Sequence, residues 1–505
     1  MQIAVDGHSL TLKEIEEVCL GFQNVSIADS AITRINESSQ YIHTLLAQEN
    51  TVYGINTGFG KLANTCIPLS QLQELQENLI RSHAVSVGKP LSEDIVRAMI
   101  LIRLNTLVKG FSGVRPETVR LLQTILNQQL YPWIPQHGSL GASGDLSPLA
   151  HLALVLTGEG YLLENGKRVP SGERFRQSGL EIIKLMPKEG LALINGTSLS
   201  SAWLSISLIR IRNLLYAALS ATILSLEANA SCRSAFSGLI HSVKPHSGQR
   251  IIAQILSDAL EDSKLIDSSQ RVQDAYSFRC IPQVVGPVLD IYEYAKNVNQ
   301  IEVNAATDNP LIFPEQQQVL SGGNFHAQAV AFSADFLAIA LQVLGEISER
   351  RINHLLDPHL NPPLSPFLAK DAGVQSGLMI IQYTCAALIS LNKTLLYPSS
   401  ATSVPVSGNQ EDIVSQAPNA CWKLELLLHN LSQIIASEMI VATQALDQKG
   451  VEKAGSVAQD IYLRLRQYSP ASNEDRSLSD EVMKLAEELL KGSFSSSLPF
   501  DIFWK

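Results

Sequence analysis

The chain has 505 residues, more than the roughly 250 to 300 at which a single hydrophobic core stops growing, so we expect more than one structural region. Hydrophobic residues make up 45% of the sequence and charged residues 17%, which is typical of a folded globular protein. With 38 Lys and Arg against 48 Asp and Glu, the net charge is −10, and no long cationic run is present. This balance excludes the usual charge pattern of a nucleic-acid-binding protein.

The cysteines and the apolar segments predict a cytoplasmic protein that does not span a membrane. The six cysteines are scattered without a CxxC pair, which indicates neither a zinc site nor a disulfide framework. Charged residues interrupt the N-terminus, so it lacks the apolar stretch of a signal peptide. Residues 213–230 form one of the most apolar windows, yet they fall short of a membrane span and are predicted to be a buried helix.

Strands are predicted at the start of the chain and at about one third of its length. Residues 1–7 have strand composition, and residues 160–170 predict a hairpin because Asn165-Gly166 suits a type I′ turn. Between them, Ser147-Pro148 is a good helix start, a side-chain acceptor followed by proline. It predicts a helix from about residue 148 to 157.

Most of the remaining chain has helical periodicity. Three long segments are apolar on more than one face, as the centre of a helical bundle requires: 198–230, 326–356 and 420–447. Near the C-terminus, Ser477 and Asp480 fit a capping box and Gly492 a helix stop. The predicted fold is mainly α, a long up-down helical bundle with a smaller N-terminal region and a few short β-hairpins. We expect the two regions to be residues 1–110 and 111–505.

The run Gly141-Ala142-Ser143-Gly144-Asp145 precedes the helix predicted at residue 148, where aligned peptide dipoles favour negative charge. It is not the GxSxG turn of a hydrolase, because Asp145 stands where the second glycine would be. A nucleotide-binding loop around "TGFGKL" fails as well, since Ile55 and Leu62 occupy positions that such a loop requires as glycine and as serine or threonine.

Two interpretations of this run remain, a tight turn with an aspartate cap and a reactive group formed from the chain. The small flanking residues allow the amide nitrogen of Gly144 to reach the carbonyl carbon of Ala142. Closure there with loss of water, and loss of a second water from Ser143, would give a five-membered ring with an exocyclic methylidene. Such a ring is an electrophile.

That group, 4-methylidene-imidazol-5-one, marks the aromatic amino-acid ammonia-lyases and aminomutases, and "GSLGASGDLSPLAHLAL" resembles their signature. Seven further segments resemble blocks of the same family in the same order: "TVYGINTGFGKL", "NLIRSHAVSVGKPL", "EGLALINGTS", "RVQDAYSFRCIPQVVGP", "NAATDNPLIF", "SGGNFHAQ" and "SGNQEDIVS". Because they span most of the chain, the protein is identified as a member of this family.

The resemblance assigns catalytic roles. The methylidene formed from Ala142, Ser143 and Gly144 activates the substrate amine, and Asp145 assists ring closure. Tyr53, in a glycine-rich segment suited to a closing loop, matches the base that removes the β-proton. Tyr276 matches a second active-site tyrosine that assists proton transfer.

It also assigns substrate contacts. Arg279 matches the arginine that pairs with the substrate carboxylate through its planar fork. Other residues match amide or apolar contacts to the substrate or the ring: Asn195, Gln273, Phe325, Met379 and Gln410. Several of the site residues precede apolar helical segments, which predicts helix N-termini that converge on one positive pocket.

Two residues indicate which aromatic substrate is used. His83 and Glu411 resemble the histidine-specific branch, and a carboxylate and an imidazole suit an imidazole substrate. Departures from that branch leave tyrosine or phenylalanine as alternatives: Arg81, Val85-Ser86, Ile413, Gln416 and Ala417. An aminomutase shares every catalytic part, and an inactive scaffold without the matured ring is the non-enzyme alternative.

The resemblance therefore implies conversion of L-histidine to trans-urocanate and ammonia, with no external cofactor and no metal. It further implies a homotetramer whose active sites draw residues from more than one subunit, with Tyr276 and Arg279 acting at a neighbour's ring.

Overall fold

The structure is a computed structural model and describes residues 2–48, 51–58, 60, 65–495 and 498. Its α-helices are α1 Leu12–Cys19, α2 Asp29–Ala47, α3 Leu72–His83, α4 Glu93–Leu107, α5 Pro116–Asn127, α6 Leu146–Leu156, α7 Ser171–Ser178, α8 Glu189–Ile194, α9 Ser198–Ala228, α10 Gly238–Ser242, α11 Ser247–Ala259, α12 Tyr276–Arg279, α13 Ile281–Glu302, α14 Gln328–Leu356, α15 Met379–Leu395, α16 Ala417–Lys449, α17 Ser456–Leu465 and α18 Ser479–Lys491. Its strands are β1 Ile3–Val5, β2 Val25–Ile27, β3 Val87–Pro90, β4 Pro135–His137, β5 Tyr161–Glu164, β6 Lys167–Pro170, β7 Leu311–Phe313 and β8 Gln318–Leu320.

The strands form small two-stranded sheets. β1 pairs in parallel with β2, and the pairs β3–β4, β5–β6 and β7–β8 are antiparallel. The hairpin predicted at 160–170 is confirmed, with Leu162 opposite Val169 and a turn at Asn165-Gly166. The strand predicted at the start of the chain is β1. Because the rest of the regular structure is helical, the prediction of a mainly α fold is confirmed.

The long apolar segments predicted as helices are α9, α14 and α16. Nearly every residue of α9 is buried, serines included. Two of those serines bond within the helix: Ser205 Oγ donates to the Ser201 carbonyl at 2.7 Å, and Ser220 Oγ to the Tyr216 carbonyl at 2.9 Å. A helix buried on all sides is what the centre of a large helical protein requires.

The chain divides into two compact units. The first comprises residues 1–206, 295–335 and 398–422, and the second comprises residues 207–294, 336–397 and 423–505. Residue 110, the boundary expected from the sequence, lies inside the first unit, and a functional division there stays a prediction.

Within the part of the chain that the structure describes, four helices are long and apolar enough to cross a membrane by length and composition. Their apolar windows are 94% buried in α9, 72% in α14 and 78% in α16. The fourth, residues 379–401, is only 17% buried, so α15 presents an apolar surface in this chain.

Two predicted helix caps are wrong, although both helices are present. α6 begins at Leu146, two residues before the predicted start, and the Ser147 hydroxyl accepts from the Val85 amide at 3.1 Å instead of capping. α18 begins at Ser479 with Leu478 as its N-cap residue, so the predicted capping box of Ser477 and Asp480 does not form. The stop predicted at Gly492 is confirmed by its left-handed backbone.

Candidate active site

The first unit contains a cavity of about 790 Å³, within the size range of small-molecule sites. Seven of the residues singled out from the sequence line it: Tyr53, His83, Ser143, Asn195, Phe325, Gln410 and Glu411. These residues are far apart in the chain, so the fold of this unit brings them together.

The cavity lies where several helices begin. Ser143 precedes α6, Asn195 precedes α9, Phe325 precedes α14 and Glu411 precedes α16, and all four line the cavity. Residues that precede four helices therefore line one cavity, as the sequence predicted. Helix starts that point at a cavity favour a carboxylate or a developing negative charge, and a positive potential here stays a prediction.

The small-residue run forms a tight turn against a second backbone segment. Gly144 has φ +73°, and a side chain added there would lie 2.3 Å from the Gly196 carbonyl oxygen. The amide of Asp145 donates to that same oxygen at 2.8 Å. Position 144 therefore accepts only glycine, which keeps the turn tight against residue 196.

The Asp145 side chain is fully buried and lies beside this turn. Its Oδ2 accepts from the Ser200 amide at 2.8 Å, and its Oδ1 accepts from the hydroxyls of Ser200 at 2.9 Å and Ser139 at 3.3 Å. Burial outweighs these hydrogen bonds and raises the pKa of the Asp145 carboxyl to about 6. Asp145 makes no side-chain cap to α6, and its carboxylate instead binds Ser200 near the start of α9.

Asn195 holds the turn from the other side. Its Nδ2 donates to the Ser143 carbonyl at 2.9 Å, while its Oδ1 is buried without a partner at the cavity. Arg103, fully buried behind Asn195, donates from Nη2 to the Asn195 carbonyl at 2.9 Å and to the Ala192 carbonyl. Burial lowers the pKa of Arg103 to about 10, and Asp308 and Asp145 oppose that shift. The buried Arg103 guanidinium thus fixes the backbone that carries Asn195.

Tyr53 lies on the loop that precedes the undescribed residues 59 and 61–64. Its hydroxyl accepts from the Gly60 amide at 3.4 Å and faces the cavity. A side chain added at Gly60 would meet the Ser407 hydroxyl at 2.9 Å, so this loop lies against the turn that carries Gln410 and Glu411.

His83 and Glu411 present acceptors to the same cavity. The His83 Nδ1 lies 2.8 Å from the Leu79 carbonyl, which only accepts, so Nδ1 carries the proton and Nε2 of the neutral ring is an acceptor. Glu411 Oε1 accepts from the Ser143 hydroxyl at 2.6 Å. The pocket therefore suits a ring that bears N–H donors.

The departures that favoured tyrosine do not line this cavity. Arg81 is turned to the surface, where its guanidinium holds the Glu159 carboxylate through two bonds of 2.7 and 2.8 Å. That contact raises the pKa of Arg81 and lowers the pKa of Glu159. Ile413 is exposed, and the Gln416 amide donates to the Leu140 carbonyl at 2.9 Å. None of these side chains alters the described pocket lining.

Gln273, Tyr276, Arg279 and Met379 belong to the second unit and are not among the residues that line this cavity. The Arg279 guanidinium lies 4.6 Å from the Tyr276 ring centroid, and its Nε is buried without a partner. The buried Asp274 anchors this segment by accepting from the Cys232 amide at 2.6 Å. The predicted roles of these four residues stay predictions.

The cavity also contains residues that sequence reasoning missed. Asn309 lines it, and its Oδ1 accepts from the Gly322 amide at 2.8 Å. Asn78 lines it one helical turn before Ser82, and this i, i+4 spacing on α3 was a sequence feature that could have found it.

Comparisons with known proteins define the class of this chain. The profile of the family described as "Aromatic amino acid lyase" matches residues 10–467. The histidine ammonia-lyase of Natranaerobius thermophilus is 42% identical over 98% of each chain. The chain belongs to the aromatic amino acid lyase family and is a carbon–nitrogen lyase, as the resemblance predicted.

Two solved structures superimpose on this chain over nearly its whole length. Histidine ammonia-lyase from Trypanosoma cruzi superimposes with a TM-score of 0.92 at 39% identity, over 99% of this chain and 95% of that one. Tyrosine aminomutase from Streptomyces globisporus superimposes with a TM-score of 0.94 at 36% identity over the whole of both chains. The mainly helical fold is that of the family.

Proposed function

We propose that this chain converts L-histidine to trans-urocanate and ammonia. The observation that carries the proposal is that Glu411 and His83 line the same cavity as Ser143, so an imidazole binder and the ring precursor face one ligand. A phenyl or phenol ring has no N–H donor for either acceptor, whereas an imidazolium offers one N–H to each. The relatives named for histidine support the same substrate.

The residues around Ala142-Ser143-Gly144 fit a self-formed 4-methylidene-imidazol-5-one. The left-handed Gly144 and the close Gly196 carbonyl hold the turn in the compact shape that closure needs, and Asn195 donates to the carbonyl that the ring retains. When formed, this group supplies an electrophile that makes the substrate amine a better leaving group.

The chain's own groups orient the substrate and move protons. The Tyr53 hydroxyl is the base for the β-proton, and the Gly60 amide that donates to it holds the hydroxyl at the cavity. The unpartnered Asn195 Oδ1 accepts from the substrate ammonium, since a buried acceptor at the cavity wall is satisfied by that donor. Phe325 packs beside the ring, and the helix starts stabilise the charge that develops.

We infer that the active enzyme is a homotetramer whose sites are completed by neighbouring subunits. Tyr276 is 70% exposed on one chain, and α15 leaves Ile380 and Tyr383 exposed by 60% and 63%. Apolar surfaces of this kind are normally covered by a partner. Arg279 and Tyr276 of one subunit would then serve the carboxylate site of another. The expected location is the cytoplasm, with no nucleic-acid or membrane partner.

The test is ultraviolet absorbance of the purified protein incubated separately with L-histidine and L-tyrosine, because each conjugated acrylate absorbs where its amino acid does not. We expect a rise with histidine only, and its loss in the Tyr53→Phe variant. A rise with tyrosine alone would overturn the substrate, and a β-amino acid found by mass spectrometry would identify an aminomutase. The intact mass should be lighter by two waters; an unaltered mass would identify the inactive scaffold.

A further inference from the structure

We propose that Glu411 is also a catalytic residue of ring maturation, carrying the proton with which the Ser143 hydroxyl leaves as water. This inference rests on the proposed function, because it concerns how the chain forms the group that function needs. Its basis is the contact of 2.6 Å in which the Ser143 hydroxyl donates to Glu411 Oε1. The oxygen that must depart is thus already bound to a carboxylate.

The carboxylate is held there by its backbone. Val406 and Glu411 exchange two hydrogen bonds, Val406 N to Glu411 O at 3.0 Å and Glu411 N to Val406 O at 3.3 Å. These bonds close the turn 407–410, in which Ser407, Gly408 and Asn409 have φ of 53°, 63° and 66°. The left-handed backbone is costly at Ser407 and Asn409, so the surrounding structure holds the turn that positions Glu411.

The segment that follows Glu411 is bonded to the residues just before the ring precursor. The Gln416 amide donates to the Leu140 carbonyl at 2.9 Å, and the Ser415 hydroxyl donates to the Gly141 carbonyl at 3.3 Å. Glu411 and Ser143 therefore belong to two segments that are bonded together next to their contact. A shift of one relative to the other would break several hydrogen bonds at once.

The chemistry separates into two losses of water. In the first, the Gly144 nitrogen bonds to the Ala142 carbonyl carbon; the carbonyl oxygen leaves with the protons of the Gly144 and Ser143 nitrogens, and a C=N bond remains. In the second, the Ser143 Cα proton leaves, its electron pair forms the Cα=Cβ bond, and the Cβ–Oγ bond breaks with its pair going to oxygen. Net loss is two waters, and nothing is oxidised or reduced.

Glu411 acts in the second loss. After closure, the charge left when the Cα proton departs spreads onto the Ser143 carbonyl, which Asn195 Nδ2 stabilises from 2.9 Å. The Glu411 carboxylate takes up this proton and delivers one to Ser143 Oγ, so that hydroxide never has to leave unprotonated. The carboxylate ends in its starting form. With the hydroxyl gone, Glu411 is released to accept from the substrate ring, so maturation itself frees the substrate site.

The experiment measures the intact mass of newly synthesised protein against time for the wild-type chain and the Glu411→Gln, Glu411→Ala and Asp412→Asn variants. Asp412 is the matched control, since it is the neighbouring carboxylate but is exposed and does not line the cavity. We expect Asp412→Asn to mature as the wild type does. Glu411→Gln should slow the second loss by roughly 100-fold, within the usual range for a proton-transfer group, and accumulate chains lighter by one water.

The remaining outcomes separate the proposals. If Glu411→Gln and Glu411→Ala both become two waters lighter at the wild-type rate, the maturation role is overturned while the proposed function stands. If the wild-type chain never loses two waters, the proposed function fails first. Added formate should restore the second loss in folded Glu411→Ala, which a merely structural defect would not allow; absence of rescue in a variant with wild-type circular dichroism counts against the role.

Discussion

At the residue scale, the sequence predicted the identity of the central groups better than their surroundings. The run 141–145, His83 and Glu411 were recognisable from local motifs, and the structure places Ser143, His83 and Glu411 at one cavity. The partners that tune Asp145 could not be predicted, because Ser139 and Ser200 are ordinary serines whose roles depend on the approach of two distant segments.

Asp145 should give the folded chain a distinctive pH dependence. Burial raises its pKa from 3.8 to about 6, so folding favours the neutral carboxyl; this stabilisation is complete below pH 3.8 and is lost as pH rises through about 6. The loss corresponds to about 3 kcal/mol. We would measure urea unfolding at pH 4 and 7 for Ser143→Ala and for Ser143→Ala/Asp145→Asn. Ser143→Ala should lose more free energy of unfolding between pH 4 and pH 7 than the double variant does. Equal losses in the two proteins would contradict the raised pKa of Asp145.

Gly144 should not tolerate a side chain. Gly144→Ala would drive Cβ to 2.3 Å from the Gly196 carbonyl oxygen, so we expect a chain that does not lose two waters and unfolds at lower urea concentration. Gly166→Ala is the matched control, because Gly166 has φ +74° and no heavy atom within 4 Å of the added Cβ. It should cost only about 1 to 2 kcal/mol and mature normally. Equal effects of the two substitutions would show that backbone angle, not the close approach, is decisive.

At the element scale, helices were predictable where their whole surface is apolar and less so at their ends. The segments 198–230, 326–356 and 420–447 correspond to α9, α14 and α16 within a few residues. The caps of α6 and α18 were misjudged, because Ser147 bonds to residue 85 instead of capping and α18 begins after Ser477 without a side-chain cap. Whether a side chain caps a helix depends on which partner it reaches, and the tertiary structure decides that partner.

The start of α8 depends on a buried ion pair that the sequence did not indicate. Lys188 Nζ donates to Asp308 Oδ2 at 2.6 Å, and both side chains are fully buried. Lys188→Met would leave the Asp308 charge unpaired, so it should cost about 3 to 5 kcal/mol in urea unfolding. Asp308→Asn added to Lys188→Met should restore part of that loss. Lys491→Met, at the exposed pair with Glu488, is the control and should change stability by less than about 1 kcal/mol.

At the scale of the whole molecule, the sequence predicted a helical enzyme, and the residues of the proposed machinery are divided between the two compact units of the chain. Tyr53 lines the cavity of the first unit, whereas Tyr276 and Arg279 belong to the second and are largely or partly exposed. The apolar face of α15 is exposed as well. Composition and periodicity do not encode which chain supplies a residue, so assembly has to be tested by mixing chains.

Two inactive variants should therefore restore activity to each other. Tyr53→Phe and Tyr276→Phe each remove one proposed proton-transfer group, and a homo-oligomer of either variant has no intact site. If sites draw these residues from different subunits, co-expressed variants form some sites with both tyrosines, and histidine-dependent absorbance should return to about a quarter of the wild-type rate by random assembly. If both residues come from one chain, every site keeps a defect and no activity returns. Light scattering of the mixture, with each variant alone as control, verifies that mixed assemblies have the same mass in either case.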